Sequence, residues 1–348
     1  MKPYKKVSLG DIAEKLGVSK TLVSMVLNGK GDENGISKST QEKVIQLAQE
    51  MNYKPNQFAR GLRMGKSNTI GLIVSDISNP FYARIARHIE DYCSKEEYNL
   101  IICNSDENPE KEKKIIQTLL EKQVDGLIIS STIEHTEHLS LLNTEQIPFI
   151  LIDRIYSSFP SNYVIVNNFL GSKEATQHLI NNGHKRIACF TISPAHISTQ
   201  IERFLGYKAA LEENNLSFID YFHKIIPREN TYHSIYNTIK EWQYNHIMPS
   251  AIFSSNNQLT LYLLEICKEL KINIPQKLSI VSFDDIEVFK FSTPSITGVV
   301  QPIESIAQNA VIELVKLIRK TKTNESFELS QIKLETNLII RESVSKFV

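Results

Sequence analysis

Two groups of residues in this 348-residue chain have types and spacings that could do chemistry. The first is the run Lys20-Thr21-Leu22-Val23-Ser24-Met25-Val26-Leu27, behind a possible N-cap at Ser19. If Val23, Val26 and Leu27, at i, i+3 and i+4, turn inward, Lys20, Thr21, Ser24 and Met25 face outward near a helix N-terminus. Short polar and basic side chains placed there can reach base edges, and the exposed N–H groups favour phosphate. The second group lies just beyond β-rich runs: Ser75-Asp76, Asp153-Arg154, Ser254-Ser255-Asn256-Asn257 and Asp284-Asp285. Such residues either cap the next helix or, gathered in a cleft with Phe81 and Tyr82, bond a polyhydroxylated ligand whose apolar side rests on a ring.

Other chemistries find little support. Glu134-His135-Thr136-Glu137-His138 has the composition of a metal cluster, but its place between a strand and a polar helix predicts a solvated face, so no metal and no other cofactor is expected. No Gly-x-Ser-x-Gly, HExxH or GxGxxG motif occurs, and nothing supports a catalytic triad. Cys93, Cys103, Cys189 and Cys267 are irregularly spaced, which suits a reducing cytoplasm better than a disulfide framework. The basic N-terminus leads into no apolar segment, and no apolar run approaches the roughly 18 residues of a membrane span. A cytoplasmic protein is expected.

The elements that must position these residues fall into two parts. Ser8, followed by Asp11, resembles a capping box for a helix with Ile12, Ala13 and Leu16 on one face, ended by Gly17. The run from Lys20 is the second helix, and the short connection forces a steep crossing: a helix-turn-helix. A third helix begins after Ser37 or Ser39, with Val44, Leu47, Ala48 and Met51 inward. In Tyr53–Ser67, Pro55-Asn56 offers a helix start, and the basic residues with an outward Leu62 suit a segment that folds against DNA. Residues 1–66 carry twelve Lys/Arg against six Asp/Glu, so the formal net charge of zero hides a basic head on an acidic body.

From residue 69, strand-like runs (69–75, 99–104, 126–130, 148–153, 163–166, 186–192, 251–255, 279–283 and 296–300) alternate with helical stretches. That alternation predicts an α/β body with parallel sheets. The strand number calls for two lobes, with a crossover near Val166-Asn167 and a cleft at the strand C-terminal ends.

Ser8 through Gly29, then Tyr53-Lys54-Pro55-Asn56, closely resemble the lactose/galactose-repressor family. The resemblance continues through Asp76-Ile77-Ser78-Asn79-Pro80-Phe81-Tyr82, Gly183–Ala188, Arg203–Tyr207 and Ile274–Asp285. It implies base reading by Lys20, Thr21, Ser24 and Met25, with Ala59 and Leu62 in the minor groove. Ser8, Ser19, Asn28, Ser37 and Asn56 would hold phosphates, and Phe81, Tyr82, Asp153, Arg203, Asn256 and Asp284 would touch an effector. Met25 stands where many relatives carry arginine, so a thymine methyl replaces guanine as its partner. Asn167 and Asn257 replace usual aspartates, and Ser282 a usual glycine.

The expected architecture is an all-α headpiece (1–52), a hinge (53–67) and a two-lobed, periplasmic-binding-protein-like body. The first lobe takes 68–166 and 299–327, and the second takes 167–298 and 328–348. The function expected from it is a ligand-controlled transcriptional repressor, a homodimer on a pseudo-palindromic double-stranded operator with a sugar as effector. The chain is too short beyond Arg341 for a heptad tail that would make tetramers. A transport solute-binding protein is the main rival, but it needs a signal peptide and no basic head. A sugar-metabolising enzyme ranks third.

Overall fold

The computed structural model describes residues 7–53, 66–132, 136–156, 158–321 and 328–347. The chain divides into two compact units, Met1–Ser67 and Asn68–Val348.

In the first unit, α1 (Leu9–Leu16), α2 (Lys20–Leu27) and α3 (Lys38–Glu50) enclose Ile12, Ala13, Val23, Val26, Val44 and Ala48. Each helix begins at a serine. Ser8 closes a capping box with Asp11: the Asp11 amide donates to Ser8 Oγ, and the Ser8 amide donates to Asp11 Oδ2 at 2.7 Å. Ser19 Oγ accepts from the Leu22 amide and Ser37 Oγ from the Thr40 amide. These caps satisfy amides that the helices cannot, each worth about 1 kcal/mol. Gly17, at φ 65°, ends α1 in the left-handed conformation that permits the short turn.

The second unit holds two six-stranded sheets. β1 (Thr69–Val74), β2 (Asn99–Asn104), β3 (Gly126–Ile129), β4 (Phe149–Ile152), β5 (Tyr163–Val166) and β11 (Gln331–Leu334) form the first, in the order β11-β5-β4-β3-β1-β2. β6 (Ile187–Ile192), β7 (His223–Ile226), β8 (Ala251–Ser254), β9 (Ser279–Phe283), β10 (Thr297–Val300) and β12 (Asn337–Ile339) form the second, in the order β12-β10-β9-β8-β6-β7. All pairings are parallel except β10 with β12, which runs antiparallel. The central strands read as continuous apolar runs because helices cover both faces. On the first lobe these helices are α4 (Pro80–Lys95), α5 (Pro109–Glu121), α6 (Glu137–Thr144) and α12 (Ile303–Thr321). On the second they are α7 (Asn168–Asn181), α8 (Ser198–Glu213), α9 (Thr231–Tyr244) and α10 (Asn257–Glu269), while α11 (Val288–Phe291) is a single turn.

The chain passes between lobes three times: from β5 to α7, from β10 to α12, and from β11 to β12. This corrects the expected lobe boundaries. Val299 pairs with Phe283, and Val300 with Asn337, so both belong to the second lobe. Gln331–Leu334 pairs with Tyr163–Val166 and so belongs to the first. β11 escapes a sequence reading because its residues alternate between exposed and half-buried at a sheet edge, leaving no apolar run. His138 is a further correction: it is buried, with Nε2 2.8 Å from Glu112 Oε1, where a solvated face is expected; His135 lies outside the described residues. Among the described residues, no helix is long and apolar enough to cross a membrane.

Candidate functional site

Asp153 and Asp284 occupy equivalent places, one residue past β4 and one past β9. Both have φ in the left-handed region, 65° and 69°. Asp tolerates this better than most residues, yet it costs energy, and such positions cluster at functional sites. At Asp284 the neighbouring Ser282, in place of a usual glycine, supports the turn: its Oγ donates to Phe283 O at 2.9 Å and accepts from Thr260 Oγ1 at 2.7 Å.

These two carboxylates face one cleft between the lobes. It is lined by all six effector residues expected from the sequence: Phe81, Tyr82, Asp153, Arg203, Asn256 and Asp284. The lobes are closed on it: the cavity is about 40 Å³, well below the roughly 300–1,000 Å³ of small-molecule sites, so the lobes must part to admit a ligand. On the first lobe, Tyr82 Oη donates to Asp153 Oδ2 at 2.7 Å, and the Phe81 ring meets the Tyr82 ring edge-on at 5.0 Å. Burial pushes the Tyr82 phenol well above its usual range, so it stays a donor.

On the second lobe, Arg203 Nε donates to Asn168 Oδ1 at 2.8 Å and Nη1 to Ser255 O at 2.7 Å, with the guanidinium over the Phe283 ring. Nη1 lies 3.5 Å from Asp284 Oδ2, while Gln301 Nε2 donates to Asp284 Oδ1 at 2.5 Å. Burial raises the Asp284 carboxyl above its ordinary range, against the opposing pull of Arg203 and Gln301. Arg203 is set in place by Gly206, one turn further along α8. A Cβ there would lie 2.2 Å from Phe169 O, so glycine lets α8 lie against α7.

Capping and lining are not exclusive. Asn256 Oδ1 accepts from the Leu259 amide and thus caps α10, while the residue also lines the cleft. Asn167 caps α7 and Asn257 Nδ2 donates to Asn79 Oδ1, so the two asparagines in place of usual aspartates are both used. Sequence reasoning missed Glu107, Arg228, Gln200 and Gln301. Glu107 and Gln301 follow β2 and β10, where the strand-end rule could have found them. Arg228 follows β7, whose sequence His223-Lys224-Ile225-Ile226 buries only Ile226 and gives a weak strand signal.

The cleft lining holds three arginines, Arg154, Arg203 and Arg228, and four carboxyl residues, Asp76, Glu107, Asp153 and Asp284. The charges thus nearly cancel, leaving no surplus for an anion. Gln301 Oε1, an acceptor, is buried without a hydrogen-bond partner, and Arg154 Nε, a donor, has only the Asp153 carboxylate at 3.4 Å. A hydroxyl can serve either.

On the headpiece, Lys20, Thr21, Ser8, Ser19, Asn28 and Ser37 are exposed and Met25 is half-buried. Ser24 departs from the expectation. It is buried at 8% exposure, and its carbonyl accepts from Asn28 Nδ2 at 2.6 Å, which ties the helix end. Asn56, Ala59 and Leu62 lie outside the described residues.

Residues 8–56 match the model of bacterial regulatory proteins, lacI family, and residues 176–344 match a periplasmic binding protein-like domain. Catabolite control protein A of Priestia megaterium is 32% identical, over 97% of this chain and 99% of its own. The transcriptional regulator CelR, solved in complex with cellobiose, is 26% identical over 97% of this chain and 100% of its own, with a TM-score of 0.71. The lac repressor dimer bound to operator and the anti-inducer ONPF reaches a TM-score of 0.83 over 98% of this chain and 100% of its own; at 23% identity it bears on fold alone.

Proposed function

Because this chain belongs to the lacI family of bacterial regulatory proteins, we propose that it acts in the cytoplasm as a homodimer on a pseudo-palindromic operator, with an uncharged sugar or sugar derivative as effector. Its general activity follows from the family: it is a sequence-specific DNA-binding transcriptional repressor controlled by a small ligand, not an enzyme. A two-fold dimer would present two headpieces to two half-sites. In each, Lys20, Thr21 and Met25 read bases, and Ser8, Ser19, Asn28 and Ser37 hold phosphates. Asn56 is a further phosphate contact, and Ala59 and Leu62 enter the minor groove.

The effector assignment rests on one observation above all. Phe81, Tyr82 and Asp153 from one lobe meet Arg203, Asn256 and Asp284 from the other across a cleft of nearly balanced charge. Fixed donors and acceptors on both sides suit hydroxyls, and Phe81 suits the apolar side of a sugar ring. The cellobiose complex of CelR supports a sugar.

Titration calorimetry of the full chain against neutral sugars and their phosphates tests this. A neutral sugar should bind more tightly than its phosphate. Asp284→Ala and Arg203→Ala should each weaken it about ten- to hundredfold, the worth of a hydrogen bond to a charged group. Undiminished affinity in both variants would exclude the cleft as the site.

A further inference from the structure

Two ion pairs among the described residues join the lobes: Lys333 Nζ to Glu202 Oε2, long at 3.8 Å, and a shorter one between residues that no motif marks. Glu107 stands in the loop between β2 and α5 of the first lobe, where Asp106 and Glu107 both hold left-handed φ, 53° and 55°. Its carboxylate, 12% exposed, accepts from Arg154 Nη1 and Nη2 at 2.6 and 2.7 Å, a two-point grip within its own lobe. Oε1 also lies 3.0 Å from Nη2 of Arg228, which follows β7 on the second lobe. Arg228 is steadied by its Nε, which donates to Ser193 O at 2.9 Å. Burial pushes the Glu107 carboxyl up, but the hydrogen bonds and charge of Arg154, with the charge of Arg228, outweigh it and hold the group ionised below the ordinary range.

We propose that Glu107 and Arg228 form the tie that positions the two lobes against each other for the effector. Arg154 fixes the carboxylate in advance, so closure has only to bring Arg228 to a target already aimed across the cleft. Arg228, 26% exposed against 6% for Arg154, is the half with freedom to leave. Two uncharged bonds close in parallel: Asn257 Nδ2 to Asn79 Oδ1 at 2.9 Å, and the Ile155 amide to Ser198 Oγ at 3.1 Å. The Glu107–Arg228 pair differs from both in joining opposite full charges 3.0 Å apart in a largely buried setting, where their attraction exceeds what it would be in water. Its regulatory meaning rests on the cleft being the effector site: a ligand that favours the closed arrangement adds to the tie, and one that favours an open arrangement must break it.

The Ile155 amide reports on the tie, since its own bond crosses the cleft. Hydrogen exchange is measured on the full chain with no effector added. In Arg228→Gln, which leaves the Glu107–Arg154 pair whole, exchange at Ile155 should accelerate roughly ten- to hundredfold, while amides within β4 and β8 exchange as in the wild type. Glu107→Gln should accelerate it too, and the double variant should go no further than the larger single change, because both remove one interaction. An unchanged Ile155 amide in Arg228→Gln would overturn the tie. Equal acceleration throughout β6–β8 would overturn it as well, leaving Arg228 a support for Ser193 alone. With no sugar present, neither result bears on what occupies the cleft, which calorimetry decides separately.

Discussion

One turn of α2 separates two side chains of opposite fate: Lys20 is exposed, whereas Ser24 is buried and bound to Asn28. A helix presents only part of its circumference, and Val23 and Val26 turn Ser24 into the three-helix core beside them. Lys20→Ala should therefore change which operator wins, by about 1–3 kcal/mol of discrimination. Ser24→Ala should leave the preference as it was and lower headpiece stability instead. A selection from randomised operators, with thermal unfolding of each variant, separates the two. A shifted preference in Ser24→Ala would return that residue to the base-reading set. Residues that cap are also to be kept apart from residues that read. Ser19 holds the Leu22 amide, so its loss weakens the helix before it weakens any contact to phosphate.

At the scale of elements, the close approach of α7 and α8 is what aims Arg203 at the cleft. Gly206→Ala would push a methyl group against Phe169 O. Overpacking of this kind costs about 1–3 kcal/mol, and since Arg203 lies one turn away, effector affinity should fall with it. Denaturant unfolding and calorimetry measure both, and a variant with wild-type stability would show that the helices can part without cost. The elements also mark where the sequence was legible. The central strands and their helices could be read because burial on both faces demands unbroken apolar runs, as in Thr69–Val74. The three strands that escaped notice, β7, β11 and β12, are all at or beside a sheet edge, where water meets one side and the apolar signal thins. The site followed the same pattern. Asp153 and Asp284 follow strong strands, which makes their place at the cleft legible in the sequence, whereas Arg228 follows a weak one. Ser24 misled because its polar type signals an exposed face, and only the packing of α2 on its neighbours decides otherwise.

Across the whole molecule, acid should act on the lobes unequally. His178, His184 and His223 all lie in the second lobe, and burial lowers the basicity of each. Unfolded, these imidazoles regain their ordinary affinity for protons. Their contribution to stability is therefore complete above the usual histidine range, near pH 6.5, and is lost as pH falls from there through the depressed folded values. Between pH 7 and pH 5, amides in β6 and β8 should lose protection before those in β1 and β3. His184→Gln should flatten part of that slope, and a loss shared equally by both lobes would count against the assignment. The three passages between lobes carry a mechanical consequence. Two bodies joined by one strand can swivel about any axis, but three roughly neighbouring links cancel twist and sideways slip. A bend about the line through the links is then the easiest motion left, so filling the cleft acts on the body through the angle between its lobes.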